Sequence, residues 1–146
     1  MTTYYYLESE RMAMSLNTLS QKGLVFLIGG LCYALIEVST RGYTHWSMVL
    51  TGGVCLLLMY EVHIHSKFNW WIKYLIGATI ITTLEFIVGV LVNLVMHWNV
   101  WDYSHLPLNV LGQICVPYFF IWYLVSIAGF GICAILQKNF NTKLAN

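Results

Sequence analysis

The chain has 146 residues, 59% of them hydrophobic and only 9% charged, with a formal net charge of +1 at neutral pH. A soluble domain carries roughly 25% charged residues, so this composition excludes an ordinary soluble domain; the near-neutral charge, with no basic stripe, excludes a nucleic-acid partner. Mean hydropathy is +0.69, and the apolar residues gather into runs that match the roughly 20 residues a helix needs to cross a hydrocarbon core about 30 Å thick.

Residues 1–22 (MTTYYYLESERMAMSLNTLSQK) form a polar lead without the apolar core of a cleavable signal peptide. This lead is either a short interfacial helix or an unstructured segment, with Met12 or Met14 as alternative starts. A transmembrane domain is expected over residues 23–136 and a short tail over 137–146. The first span runs from Gly23 to about Ser39, and the second, the shortest, from about His45 to Tyr60. The third, Ile72 to Met96, is long enough to tilt. The fourth lies between Leu111 and Leu136. Pro117 either kinks it or occupies its first turn, where a missing N–H matters least. In the second case Leu108 to Val116 is a separate interfacial or re-entrant piece. Lipid leaves backbone polar groups no water, so a span must be a helix or part of a closed barrel, and these runs lack the period-two alternation of barrel strands. The expected fold is an all-α bundle of about four transmembrane helices.

Lys and Arg set the orientation. Arg11, Lys22, Lys67, Lys73, Lys138 and Lys143 fall on one side and Arg41 alone on the other. Both termini are therefore expected to be cytoplasmic, in a multi-pass protein of the cell membrane. Cys32, Cys55, Cys115 and Cys133 all lie in apolar runs with no C-x-x-C pair, and read as small buried hydrophobes. Gly52-Gly53 marks close helix packing or an unwound turn in the second span.

Glu85 stands near the middle of the third span, where an ionised carboxylate costs about 3 kcal/mol to insert. With Thr82, Gly89, Asn93 and His97 it falls at helical spacing on one face. That stripe must meet protein or water. It is either a substrate, ion or proton site, or a hydrogen-bond network that joins helices. Glu37 and Arg41 lie at i and i+4 near the outer end of the first span. They form a helix-end ion pair, or Arg41 neutralises Glu85 or binds an anion through its planar fork. Gly42 permits a turn before Tyr43, Thr44, His45 and the interfacial anchor Trp46.

The connection from His97 to Pro117 is rich in Trp, His, Asn and Asp but has neither Lys nor Arg. It is expected to be a structured outer loop. Trp98, Trp101 and Tyr103 suit headgroup level, while Asp102, Ser104 and Asn109 can cap turns. Convergence of these groups over an apolar bundle defines a candidate substrate site: Glu37, Arg41, His45, Glu85, Asn93, Trp101, Asp102, Tyr103, Asn109 and Gln113. No metal-ligand spacing occurs and no cofactor is expected. Glu61-x-His63-x-His65 reads as a solvated helix end. The chain has no G-x-x-x-x-G-K-[ST], so it carries no P-loop ATPase, and no hydrolase motif marks it as an enzyme.

The stretches EVSTRGYTHWSM (37–48), TTLEFIVG (82–89) and WDYSHLPLNVLGQIC (101–115) resemble a family of small bacterial membrane proteins, the CmpB-like, permease-like ABC-transporter type IV family. The WDYS element is also similar to one in a small animal transmembrane family. The likeness covers roughly residues 24–136. It implies a multi-pass membrane protein in which Glu37, Arg41, Gly53, Glu85, Gly89, Trp101, Asp102, Tyr103, Asn109, Gly112 and Gln113 are marked positions, and it implies no substrate. Three readings follow. The first is a transport-related protein acting as a homo-oligomer or with a partner membrane or ATPase subunit. The second is a protein or enzyme that handles a lipid or lipid-linked headgroup, with membrane lipids as partners. The third is a non-catalytic accessory subunit of another membrane complex.

Overall fold

The structure is a computed structural model that describes the backbone of residues 2–145 and the side chains of residues 18–142. Most of the polar lead, including Arg11, and the Lys143 side chain lie outside the described side chains. Four helices are long and apolar enough to cross a membrane: Thr18–Arg41, Trp46–His65, Trp70–Val95 and Val116–Thr142. They belong to α1 (Thr2–Arg41), α2 (Trp46–His65), α3 (Trp70–Gly89) with its π-helical extension Val90–Val95, and α4 (Val116–Ala145). Between α3 and α4 lie two short antiparallel strands, β1 (Asn109–Val110) and β2 (Ile114–Cys115).

Local chemistry sets each boundary. α1 stops at Gly42, whose φ of 82° suits a residue without Cβ and whose N–H returns to Val38 O at 2.9 Å. His45 caps α2, its Nδ1 accepting from Ser47 N. Asn69 caps α3, its side-chain oxygen accepting from Ile72 N at 3.1 Å. Pro117 is the second residue of α4, so the first-turn alternative holds and the helix is not kinked by it.

The third span departs from the uniform helix expected from the sequence. After Gly89 the helix widens into the π segment, where Met96 N–H reaches Leu91 O at 2.9 Å. The chain then leaves the helix, and His97 takes a left-handed φ of 57°. His97 therefore does not continue the Glu85–Gly89–Asn93 stripe. The cause lies in the loop that follows. It recruits Asn93, whose Oδ1 accepts Val100 N–H at 2.7 Å, while Trp98 N–H returns to Val92 O. Such π-helical turns recur at functional sites.

α2 is the most buried span and packs against all three others. Glycines bring it close to α1: a Cβ on Gly29 would sit 2.5 Å from Gly52 O, and one on Gly53 would meet the Phe26 ring at 2.7 Å. α1 and α4 touch only sparsely, which leaves a seam between them. Exposed Trp46 and Trp98 mark one end of the bundle, and Trp70 and Trp71 the other, as expected of rings at two membrane interfaces. The α1–α2 and α3–α4 connections share one end of the bundle, the loop end. At the opposite end Lys22 pairs with Glu61 at 2.7 Å and Glu61 with His65 at 3.3 Å. His63 turns inward against Phe130, so only part of the Glu61–His65 triplet is a solvated helix end.

Candidate functional site

Glu85 is 2% exposed, the deepest carboxylate among the described residues. Its two oxygens have one donor each. The Tyr33 hydroxyl donates to Oε1 and the Trp122 indole N–H to Oε2, both at 2.6 Å. An indole N–H can only donate, so Oε2 is an acceptor. Hydrogen bonds to a charged group contribute about 1.5–3 kcal/mol each, so two of them offset the roughly 3 kcal/mol insertion cost of the carboxylate. Three helices meet on this group: Tyr33 from α1, Glu85 from α3 and Trp122 from α4. No Lys, Arg or His among the described residues forms an ion pair with it.

Glu37 is also buried, one turn closer to the loop end than Tyr33 on α1. It takes the Arg41 guanidinium on Oε1 and the Thr44 hydroxyl on Oε2. Arg41 thus pairs with Glu37 and not with Glu85. Its Nη1 also donates to Val100 O at 2.9 Å, and the guanidinium lies 5.0 Å from the centre of the Tyr43 ring. One side chain fastens α1, the α1–α2 connection and the α3–α4 loop together. Arg41 Nε is buried with no hydrogen-bond partner.

Both carboxylates face a cavity of about 200 Å³. Arg41, Thr40, Trp101, Tyr103 and Tyr118 complete its loop-end wall, and Tyr33 and Trp122 form its floor. The Tyr103 and Tyr118 rings stack at 4.4 Å. Burial, and after it the Glu85 carboxylate, push the Tyr103 phenol up from its ordinary value. Below the floor a second cavity of about 310 Å³ continues along the α1–α4 seam. It shares Tyr33, Ile36 and Trp122 with the first and is otherwise apolar, lined by residues such as Cys32, Leu56, Ile81 and Gly129. Leu35 and Ala128 on its edge are exposed, so the groove opens on the surface that faces lipid.

The other expected site residues hold the loop in place. Asn93 Nδ2 donates to Gln113 Oε1 at 2.8 Å, Gln113 Nε2 to Leu111 O, and Trp101 Nε1 to Gln113 O. This core sits directly on Gly89, where a Cβ would be 2.6 Å from Gln113 Oε1 and 2.8 Å from Trp101. Asn109 bridges Ser104 O, Leu106 O and Gly112 N. Leu111 and Gly112, at φ of 54° and 69°, make the tight turn between β1 and β2. Asp102 is exposed and accepts from both Ser104 N–H and its hydroxyl, which holds its carboxyl below the usual range. His45 lies among Trp46 and Trp98, outside the cavity.

A family model described as Putative ABC-transporter type IV matches residues 25–146. The chain belongs to this family. Neither a curated protein nor a solved structure matches it. For this family member, most positions marked by the resemblance divide between the cavity wall (Glu37, Arg41, Glu85, Trp101, Tyr103) and the loop's scaffold (Gly89, Asp102, Asn109, Gly112, Gln113), while Gly53 packs α2 against Phe26 of α1. Three aromatic residues that line the cavity were not anticipated as site residues from the sequence: Tyr33, Tyr118 and Trp122. A sequence signal existed for two of them. Tyr33 and Trp122 lie inside spans, away from the interfaces where such rings collect, and a buried indole or phenol needs a partner.

Proposed function

We propose that this chain is a permease-like subunit or small transporter of the cell membrane, and that its substrate occupies the loop-end cavity between Glu37, Arg41 and Glu85. The observation that carries the reading is a membrane-buried carboxylate, held by neutral donors from two other helices, on the wall of a cavity rather than inside a closed network. Ionisable groups inside a bundle mark substrate or ion pathways by default. The family description supports transport. Four spans make a small permease and the chain has no P-loop, so it acts with a second copy or with a partner membrane or ATPase chain. The Lys and Arg distribution supports cytoplasmic termini, which puts the cavity in the outer half of the bundle. In this reading Glu37, Arg41, Glu85, Trp101 and Tyr103 meet the substrate. Asn93, Asn109, Gln113 and Asp102 position the loop, and His45 caps α2 outside the cavity.

The apolar groove below the cavity favours a second reading, in which the site handles a lipid or lipid-linked headgroup. One experiment separates the two. The protein is extracted gently from its own membrane and its mass measured intact. The transport reading expects a stoichiometric second chain, and uptake by that assembly that is lost in Glu85→Gln although the protein still inserts. A lone chain carrying a defined lipid favours the second reading, and full uptake by Glu85→Gln contradicts the first.

A further inference from the structure

The cavity and the groove lie back to back on a shared wall of Tyr33, Ile36 and Trp122, and their chemistries differ in a way that selects a ligand. Two carboxylates meet one guanidinium, and the guanidinium is spent on Glu37. Glu85 has only neutral donors. With both carboxylates ionised the cavity carries a formal charge of −1 in a low-dielectric setting. Five aromatic rings, those of Tyr33, Trp101, Tyr103, Tyr118 and Trp122, line the same small space. Aromatic faces attract cations, and cages of such rings recognise quaternary ammonium groups.

The groove supplies the other half. From Trp122 to Ile132 it follows α4 for about 15 Å at 1.5 Å per residue, which accommodates an extended alkyl chain of roughly ten to twelve carbons with bonds of about 1.5 Å. Its open edge at Leu35 and Ala128 admits a chain from the bilayer.

We infer that the site takes a single-chain amphiphile with a quaternary ammonium head, the head among Glu85 and the aromatic rings and the tail in the α1–α4 groove. This names the substrate class for the cavity and rests on the reading above that the cavity is the substrate site. The test uses tritiated dodecyltrimethylammonium with the full chain in neutral maltoside micelles, protein-free micelles serving as the blank. Saturable binding of about one probe per chain is expected, with tetramethylammonium at least tenfold weaker and laurate unable to displace the probe. Glu85→Gln should weaken binding at least tenfold. Ala128→Phe, on the exposed groove edge where folding is not at stake, should abolish the advantage of the long chain and leave tetramethylammonium binding unchanged. Displacement by lysophosphatidylcholine would assign the head to a membrane lipid, and its failure to displace would assign it to a free amphiphile; both support the inference. If laurate binds in place of the cation and responds to the two variants, the ammonium assignment is overturned while the cavity remains the site. If no probe responds to either variant, the inference is overturned, and the substrate reading of the cavity stands or falls on uptake by Glu85→Gln.

Discussion

The two ends of the bundle each hold a glutamate beside a cation, and they use it differently. At the terminal end Lys22 and Glu61 pair with side chains 42% and 30% exposed. Such a pair contributes at most about 1 kcal/mol, because water competes for both charges. At the loop end Glu37 is buried, and Arg41 joins it to the α3–α4 loop through Val100 O. One turn below, Glu85 pairs with no cation among the described residues and is held by a phenol and an indole. The contrast separates an ion pair that trims a helix end from an arrangement in which charge is brought under the surface and left facing a cavity. Only the second kind constrains three helices at once.

The comparison can be broken at either end. Arg41→Ala leaves Glu37 buried beside Thr44 alone and frees Val100 O. We expect a loss of about 3 kcal/mol in detergent unfolding, at the low end for a buried pair because Arg41 keeps some exposure. Trp122→Phe keeps an aromatic ring, smaller than the indole, and removes the donor to Glu85 Oε2. It should cost about 2 kcal/mol by the same assay, and equal stability of Trp122→Phe and wild type would show that the carboxylate needs no such donor. Lys22→Ala at the terminal end should cost less than about 1 kcal/mol, and less still in high salt. If Lys22→Ala and Arg41→Ala had the same effect, the distinction between the ends would collapse. The smallest effect concerns Asp102. Ser104 depresses its pKa in the folded loop, so its contribution is fully present above the ordinary carboxylate value and is lost as pH falls through the lower folded value. Hydrogen exchange at the Ser104 amide should therefore show more opening, after correction for intrinsic rates, only below about pH 4.

How far the sequence revealed this arrangement depended on the kind of signal. The four spans were legible because apolar length is a local property that the bilayer imposes directly. Glu37, Arg41 and Glu85 were legible because a charge in lipid needs a reason. The Glu37–Arg41 pair also follows from i,i+4 spacing, whereas the alternative of Arg41 on Glu85 required a tertiary contact that the fold does not make. The π segment was not legible. It exists because Asn93 turns to the loop, taking Val100 N–H and meeting Gln113, twenty residues on. A stripe drawn at uniform helical spacing therefore carried His97 one step too far. The aromatic partners of Glu85 were missed for a related reason. Tyr33 and Trp122 read as apolar residues of their spans, and only packing reveals which of them faces a carboxylate.

The central claim is that the Glu85 cavity holds a ligand. It is tested most directly by intact-mass measurement, under gentle extraction, of wild type beside Ile36→Trp, a substitution at a residue that lines both cavities. The account predicts that wild type carries a small molecule in about one-to-one ratio and that Ile36→Trp loses it while its thermal unfolding stays cooperative. The same bound mass on both proteins would contradict it.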